Sequence, residues 1–143
     1  MLRYLFILVL IFANSCGSQG ADTDTSSKAV PGIYTLNEII GGRAGGELKG
    51  DKLPFEETYK FRSDGTFIRL RKDQGQSIEL TGTYELKSYA SEQHIELSYD
   101  QNSDIVGNCS GKEKWESFYI NEQNALQNNW MACDGPGYVY TRQ

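Results

Sequence analysis

Few side chains in this sequence could carry acid–base or nucleophilic chemistry. The one histidine, His94, falls on the outward phase of an alternating segment, and no serine or cysteine nucleophile has a base beside it, so a hydrolase triad finds no footing. Glu56 and Glu57 are paired carboxylates, but neighbours on a strand point to opposite faces and cannot flank one bond. Asp100-Gln101-Asn102-Ser103-Asp104 alternates acids and amides as a calcium loop does. The pattern then breaks: Ile105 stands where glycine should turn the loop, and Gly111 where a bidentate glutamate should sit, so a polar loop is expected. The run Gly41-Gly42-Arg43-Ala44-Gly45-Gly46 lacks the Gly-Lys-Ser/Thr that would cradle phosphates and is read as a mobile loop. No catalytic residue, metal or cofactor is expected, and no enzymatic activity.

The N-terminus has a different kind of chemistry. One positive charge, Arg3, precedes the apolar run Tyr4 to Ala13. That run is too short to span a bilayer, which takes roughly 20 residues, but it suits the core of a secretory signal. Ala13-Asn14-Ser15 then leads to Cys16. The segment resembles a bacterial lipoprotein signal, which is cut before a cysteine bearing a diacylglyceryl thioether. The resemblance implies a signal peptide over 1–15 and two or three acyl chains on Cys16, palmitate-like anchors that together hold stably where one chain would not. Residues 17–28 are small and polar and form a flexible tether. Gly17, rather than Asp, follows the cysteine, and the family's sorting rule then leans toward the outer membrane of the cell envelope. With Cys16 acylated, Cys109 and Cys133 are left as an even pair in an oxidising compartment, and a disulfide is expected.

Removing residues 1–15 leaves 128 residues, enough for one domain, with 13 basic and 19 acidic side chains. That balance argues against nucleic acid or an anionic membrane surface as partner, since both call for basic patches. From residue 29 to 143 the sequence reads as short alternating segments separated by turns. Gly32 to Ile40 is the first, and Phe55 to Arg62 puts Phe55, Tyr59 and Phe61 on one face, with Glu57 on that same face as if at a rim. Asp64-Gly65 supplies a tight turn. A two-residue loop there sets Phe61 opposite Ile68 and sends Arg69 and Arg71 outward, whereas a three-residue loop sets Phe61 opposite Phe67; a one-residue slip exchanges the faces, and both registers stay open. Ser77 to Leu86 turns Ile78, Leu80, Tyr84 and Leu86 one way, with Gly82 among them as a bend or bulge. His94 to Tyr99, Glu113 to Ile120, Ala125 to Met131 and Tyr138 to Thr141 complete eight strands. Eight strands on short turns suit an all-β, up-and-down antiparallel barrel that closes on itself; an open sandwich is the alternative.

Tyr59-Lys60-Phe61-Arg62-Ser63-Asp64-Gly65-Thr66-Phe67 followed by Gly82-Thr83-Tyr84-Glu85-Leu86 resembles the core of lipocalin-like domains in small bacterial lipoproteins. Lipocalins also carry Gly-x-Trp on the first strand with an arginine from the last strand over the ring. Gly32-Ile33-Tyr34 and Arg142 occupy comparable places, with Tyr34 in place of the Trp. The resemblance implies a barrel over 29–143 that holds a small apolar ligand, with Tyr59, Phe61, Tyr84, Leu97 and Trp115 as candidate lining, although the same residues serve equally as core. The other reading is a protein-interaction or inhibitor module on a lipid tether, which meets a protein partner through loops at one barrel end. Interior volume separates the two, because a filled barrel shifts the weight to surface contacts.

Overall fold

The computed structural model describes residues 30–41, 45–107 and 109–143. The segments expected to be a signal (1–15) and a tether (17–28), and Cys16, lie outside them. Among the described residues nine strands run antiparallel in one sheet: β1 (Gly32–Ile40), β2 (Glu47–Lys49), β3 (Glu56–Phe61), β4 (Thr66–Asp73), β5 (Gln76–Tyr89), β6 (Glu92–Tyr99), β7 (Trp115–Ile120), β8 (Leu126–Asn128) and β9 (Gly137–Arg142). β1 pairs with both β3 and β9, so eight strands close into an up-and-down barrel and their edges are satisfied. β2 is the additional strand. It directly follows the Gly41–Gly46 run, and pairs Glu47 through Lys49 with Ile40 through Glu38. Gly41 N–H donates to Gly46 O at 2.7 Å beside it.

The β3–β4 turn takes the three-residue form. Phe61 faces Phe67, Arg62 N–H donates to Thr66 O at 2.9 Å, and Gly65 adopts φ +81°. A side chain would strain that left-handed backbone, which glycine takes freely. This register decides the interior. It puts Phe67, Arg69 and Arg71 on the same phase as Phe61, Tyr59 and Glu57. β5 then brings Leu80 and Gly82 inward, while Ile78 and Leu86, expected inside, are 38% and 47% exposed because β5 outruns the barrel wall at both ends.

Gly82 is neither bend nor bulge. Its pairing to Phe67 on one side and Tyr99 on the other runs without a shift. A Cβ at Gly82 would lie 2.1 Å from Ser98 O and 2.8 Å from Phe67 Cε1, so the glycine lets a neighbouring strand and an aromatic ring come close.

The two ends differ. One is closed by the short turns after β3, β5 and β7 and by Arg142, whose Nη2 donates to Pro31 O at 2.9 Å. Arg142 lies flat across Gly32, where a Cβ would come 2.9 Å from its Nε. Tyr34, paired directly with Arg142, is buried and meets Phe61 edge-on at 5.7 Å. The other end bears the longer connections, 41–55, 100–114 and 129–136, and the Cys109–Cys133 disulfide joins the last two.

Candidate functional site

The barrel axis is filled in layers. Phe61, Phe67 and Phe118 form an aromatic floor with Tyr59, whose ring lies 5.8 Å from Phe61 and 5.3 Å from Phe118. Above it sits a charged layer. Arg69 Nη2 donates to Glu57 Oε1 at 3.0 Å, and Arg69 Nη1 donates to Glu116 Oε2 at 3.2 Å and to the Tyr99 hydroxyl at 3.1 Å. Tyr59 donates to Glu116 Oε2 at 2.9 Å, and Tyr99 donates to the same oxygen. Tyr140 and Arg71 Nε donate to Glu57. Glu57, Arg69 and Glu116 are each 0% exposed, so the arrangement is sealed from water.

β3 and β7 stand on opposite sides of the eight-strand ring, which makes the Tyr59–Glu116 bond a tie across the full diameter. A molecule on the axis at this level would have to break it. Nearer the loop end, Arg71 stacks over the Phe55 ring at 3.8 Å, and Phe55 meets Tyr138 edge-on at 6.0 Å. Trp130 covers this rim from the 129–136 connection. Its ring lies flat on Gly107, where a Cβ would come within 1.6 Å, and Cys109 and Cys133 pair beside that contact with Cα atoms 5.6 Å apart.

The surroundings drive the two buried carboxyls apart. Burial opposes ionisation of Glu57, but Arg69, Arg71 and the Tyr140 hydroxyl outweigh it and hold the group below its ordinary value. Burial pushes Glu116 up, and the Glu57 charge adds to that, against Arg69 and the Tyr99 and Tyr59 hydroxyls. Burial likewise holds the phenols of Tyr59, Tyr99 and Tyr140 well above theirs. An acid and a base of separated strength are what general acid–base catalysis needs, but such groups must also reach a substrate. These do not.

Of the residues expected to line a ligand, Tyr59, Phe61 and Leu97 are buried in the packed interior. Tyr84 is half-buried at the closed end, edge-on to Phe61 at 5.1 Å, with its hydroxyl donating to Arg62 O at 2.7 Å. Trp115 does not face the interior. It opposes exposed Ser98, because Glu116, Phe118 and Ile120 take the inward phase of β7; its ring sits 5.1 Å from Lys112 Nζ. His94 faces outward, between the Tyr89 ring and Glu92. Asp100 and Asn102 diverge, Asp100 accepting from Thr81 Oγ at 2.6 Å and Asn102 donating to Glu113 at 3.0 Å.

Glu57 was visible in the sequence as an acid on an apolar face, though it lies deep in the wall and not at the rim. Arg69 follows from the three-residue turn alone. Glu116, two residues from Phe118 on the same phase, was readable as its partner and was missed. Clefts flank the β4–β5 hairpin on both sides at the loop end, and another of about 240 Å³ lies within the 100–114 connection. One of about 620 Å³ has Leu36, Leu53 and Phe55 on its floor, and one of about 290 Å³ lies between Arg71, Ile78 and Ile105. Comparison with protein-family models, curated proteins and solved structures finds no match for this chain.

Proposed function

We propose that this protein is a lipid-anchored, non-enzymatic barrel of the bacterial envelope that works through contacts at its loop-bearing end. The observation that carries the reading is the Tyr59–Glu116 bond spanning the barrel, with Arg69 and Glu57 beside it. It occupies the place where a small apolar ligand would sit, and it puts buried charge where such a ligand would need apolar wall. The same sealing removes the polar cluster from any substrate. Surface contact is what remains, and the loop end has the longer connections, the disulfide and the clefts of about 620 and 290 Å³ that flank the β4–β5 hairpin tip, against one of about 340 Å³ between Glu92, Tyr119 and Glu122 at the closed end. Cys16 supplies the anchor, and residues 17–28 the tether that presents the barrel.

The test uses photo-crosslinking residues in cells, placed at Asn102 and Ala132 on the loop end and at Ser63 and Glu122 on the closed end. Discrete adducts from the loop-end positions alone, on protein recovered with membranes and released by Cys16→Ala, are the expected result. Adducts only from the closed end would overturn the assignment, and membrane retention of Cys16→Ala would overturn the anchor.

A further inference from the structure

Pairing between β1 and β3 stops at Thr35–Thr58. Beyond it β1 turns through a bulge between Leu36 and Glu38 and takes β2 as its neighbour, so the wall parts from β3. Leu53 and Phe55 fill the parting from the side and leave the cleft of about 620 Å³ above them. Its floor is apolar: Leu36 is 5% exposed, and Leu53 and Phe55 are half-buried.

The rim is of another kind. Asp51 stands on one side and Asp73 on the other, and among the described residues neither has an ion-pair partner. The remaining rim charges, Glu56 and Lys72, lie 4.0 Å apart and largely offset each other. Thr35, Pro54 and Gln74 also line the cleft, together with Gly50 and Gly75, which have φ of +57° and +81° and open space where a Cβ would stand. A chain crossing between the two aspartates would meet bare backbone at Gly50 and Gly75 and hydrocarbon below.

We infer that this cleft takes an extended cationic segment of a partner protein, with one apolar side chain on the Leu36–Leu53–Phe55 floor and a lysine or arginine beside each of Asp51 and Asp73. The inference rests on the loop-end reading above and names the partner's chemistry. Complementary charge steers such an encounter and sets its direction, while the apolar anchor supplies desolvation. The net acidity of the chain, 14 basic against 19 acidic side chains, acts the same way at long range.

The probe is the peptide Lys-Lys-X-Lys-Lys, with X the apolar photoreactive residue benzoylphenylalanine, applied to the full lipidated chain in neutral detergent. Its counterpart is Glu-Glu-X-Glu-Glu. Adducts within 35–36, 50–56 or 72–75 are expected. They should weaken about five- to tenfold with the acidic peptide and with the Asp51→Lys/Asp73→Lys variant, the size two exposed charge pairs support. Both aspartates are exposed, so the variant keeps the barrel; a retained far-UV spectrum and melting temperature check this. Equal labelling by both peptides would overturn the charge argument. Adducts confined to 100–114 or 129–136 would overturn this site while leaving the loop-end reading standing. No adduct on the loop end would overturn the site, and the in-cell crosslinks then judge the broader reading by themselves.

Discussion

A guanidinium taken out of water loses several kcal/mol of hydration, and only good geometry with further hydrogen bonds offsets that loss. Arg69 has two carboxylates, a tyrosine hydroxyl and the face of Tyr59, 5.2 Å from its Cζ, although its Nε and Glu116 Oε1 are buried without a hydrogen-bond partner. The contacts are mutual, so removing Arg69 leaves Glu57 held by Arg71 and Tyr140, and Glu116 held by hydroxyls alone. Arg69→Met should therefore lower unfolding stability by about 3–5 kcal/mol in urea at neutral pH. Neutralising the layer together, Arg69→Met with Glu57→Gln and Glu116→Gln, should recover much of it, because nothing charged is then stranded. A single variant that unfolds within about 1 kcal/mol of the parent would mean that water reaches the layer and that the barrel is not sealed.

Strand alternation was enough to place most of the wall. Tyr59, Phe61, Leu80, Ile95 and Leu97 all take the faces that period-2 reading assigns, since one-sided burial leaves a strand little choice. What alternation cannot carry across is a turn whose length is free. Asp64-Gly65 permits two loop lengths, and the choice depends on Phe61 meeting Phe67 across the barrel wall, a contact that local sequence does not contain. β2 escaped for a related reason: three residues make no period, and Glu47–Lys49 becomes a strand only because the end of β1 offers it an edge. Gly82 is the element-scale test of this packing. Gly82→Ala keeps the strand's preferred backbone and adds one methyl, yet that methyl meets the backbone oxygen of Ser98 and the Phe67 ring. The expected loss is about 1–3 kcal/mol, measured by thermal melting, as for an overpacked core. An unchanged or raised melting temperature would mean that β5 and β6 separate readily at this point and that Gly82 is not holding them together.

Across the whole barrel the two buried carboxyls give stability an opposed dependence on pH. Glu57 is held below its ordinary value of 4.5, so its contribution is complete above that pH and is lost as pH falls through its folded-state value. Glu116 is raised above the same ordinary value, so between the two the folded state binds more protons than the unfolded chain, and acidification from neutrality favours folding. The sum is a barrel that holds or gains stability as pH falls toward 4.5 and loses it below. Exposed carboxyls with lowered values, Asp64 and Glu85 among them, act below 4.5 in the same sense as Glu57, so differences between variants separate the buried terms. Urea midpoints of the parent and Glu116→Gln should diverge most at neutral pH, where the variant lacks the raised acid, and converge as pH approaches 4.5. For Glu57→Gln the gap should instead stay constant down to 4.5 and close only below it. A gap between parent and Glu116→Gln that stays flat from neutrality to 4.5 would mean that Glu116 remains ionised on the Arg69 guanidinium, and the layer would then be two full ion pairs with no separation of acid strength.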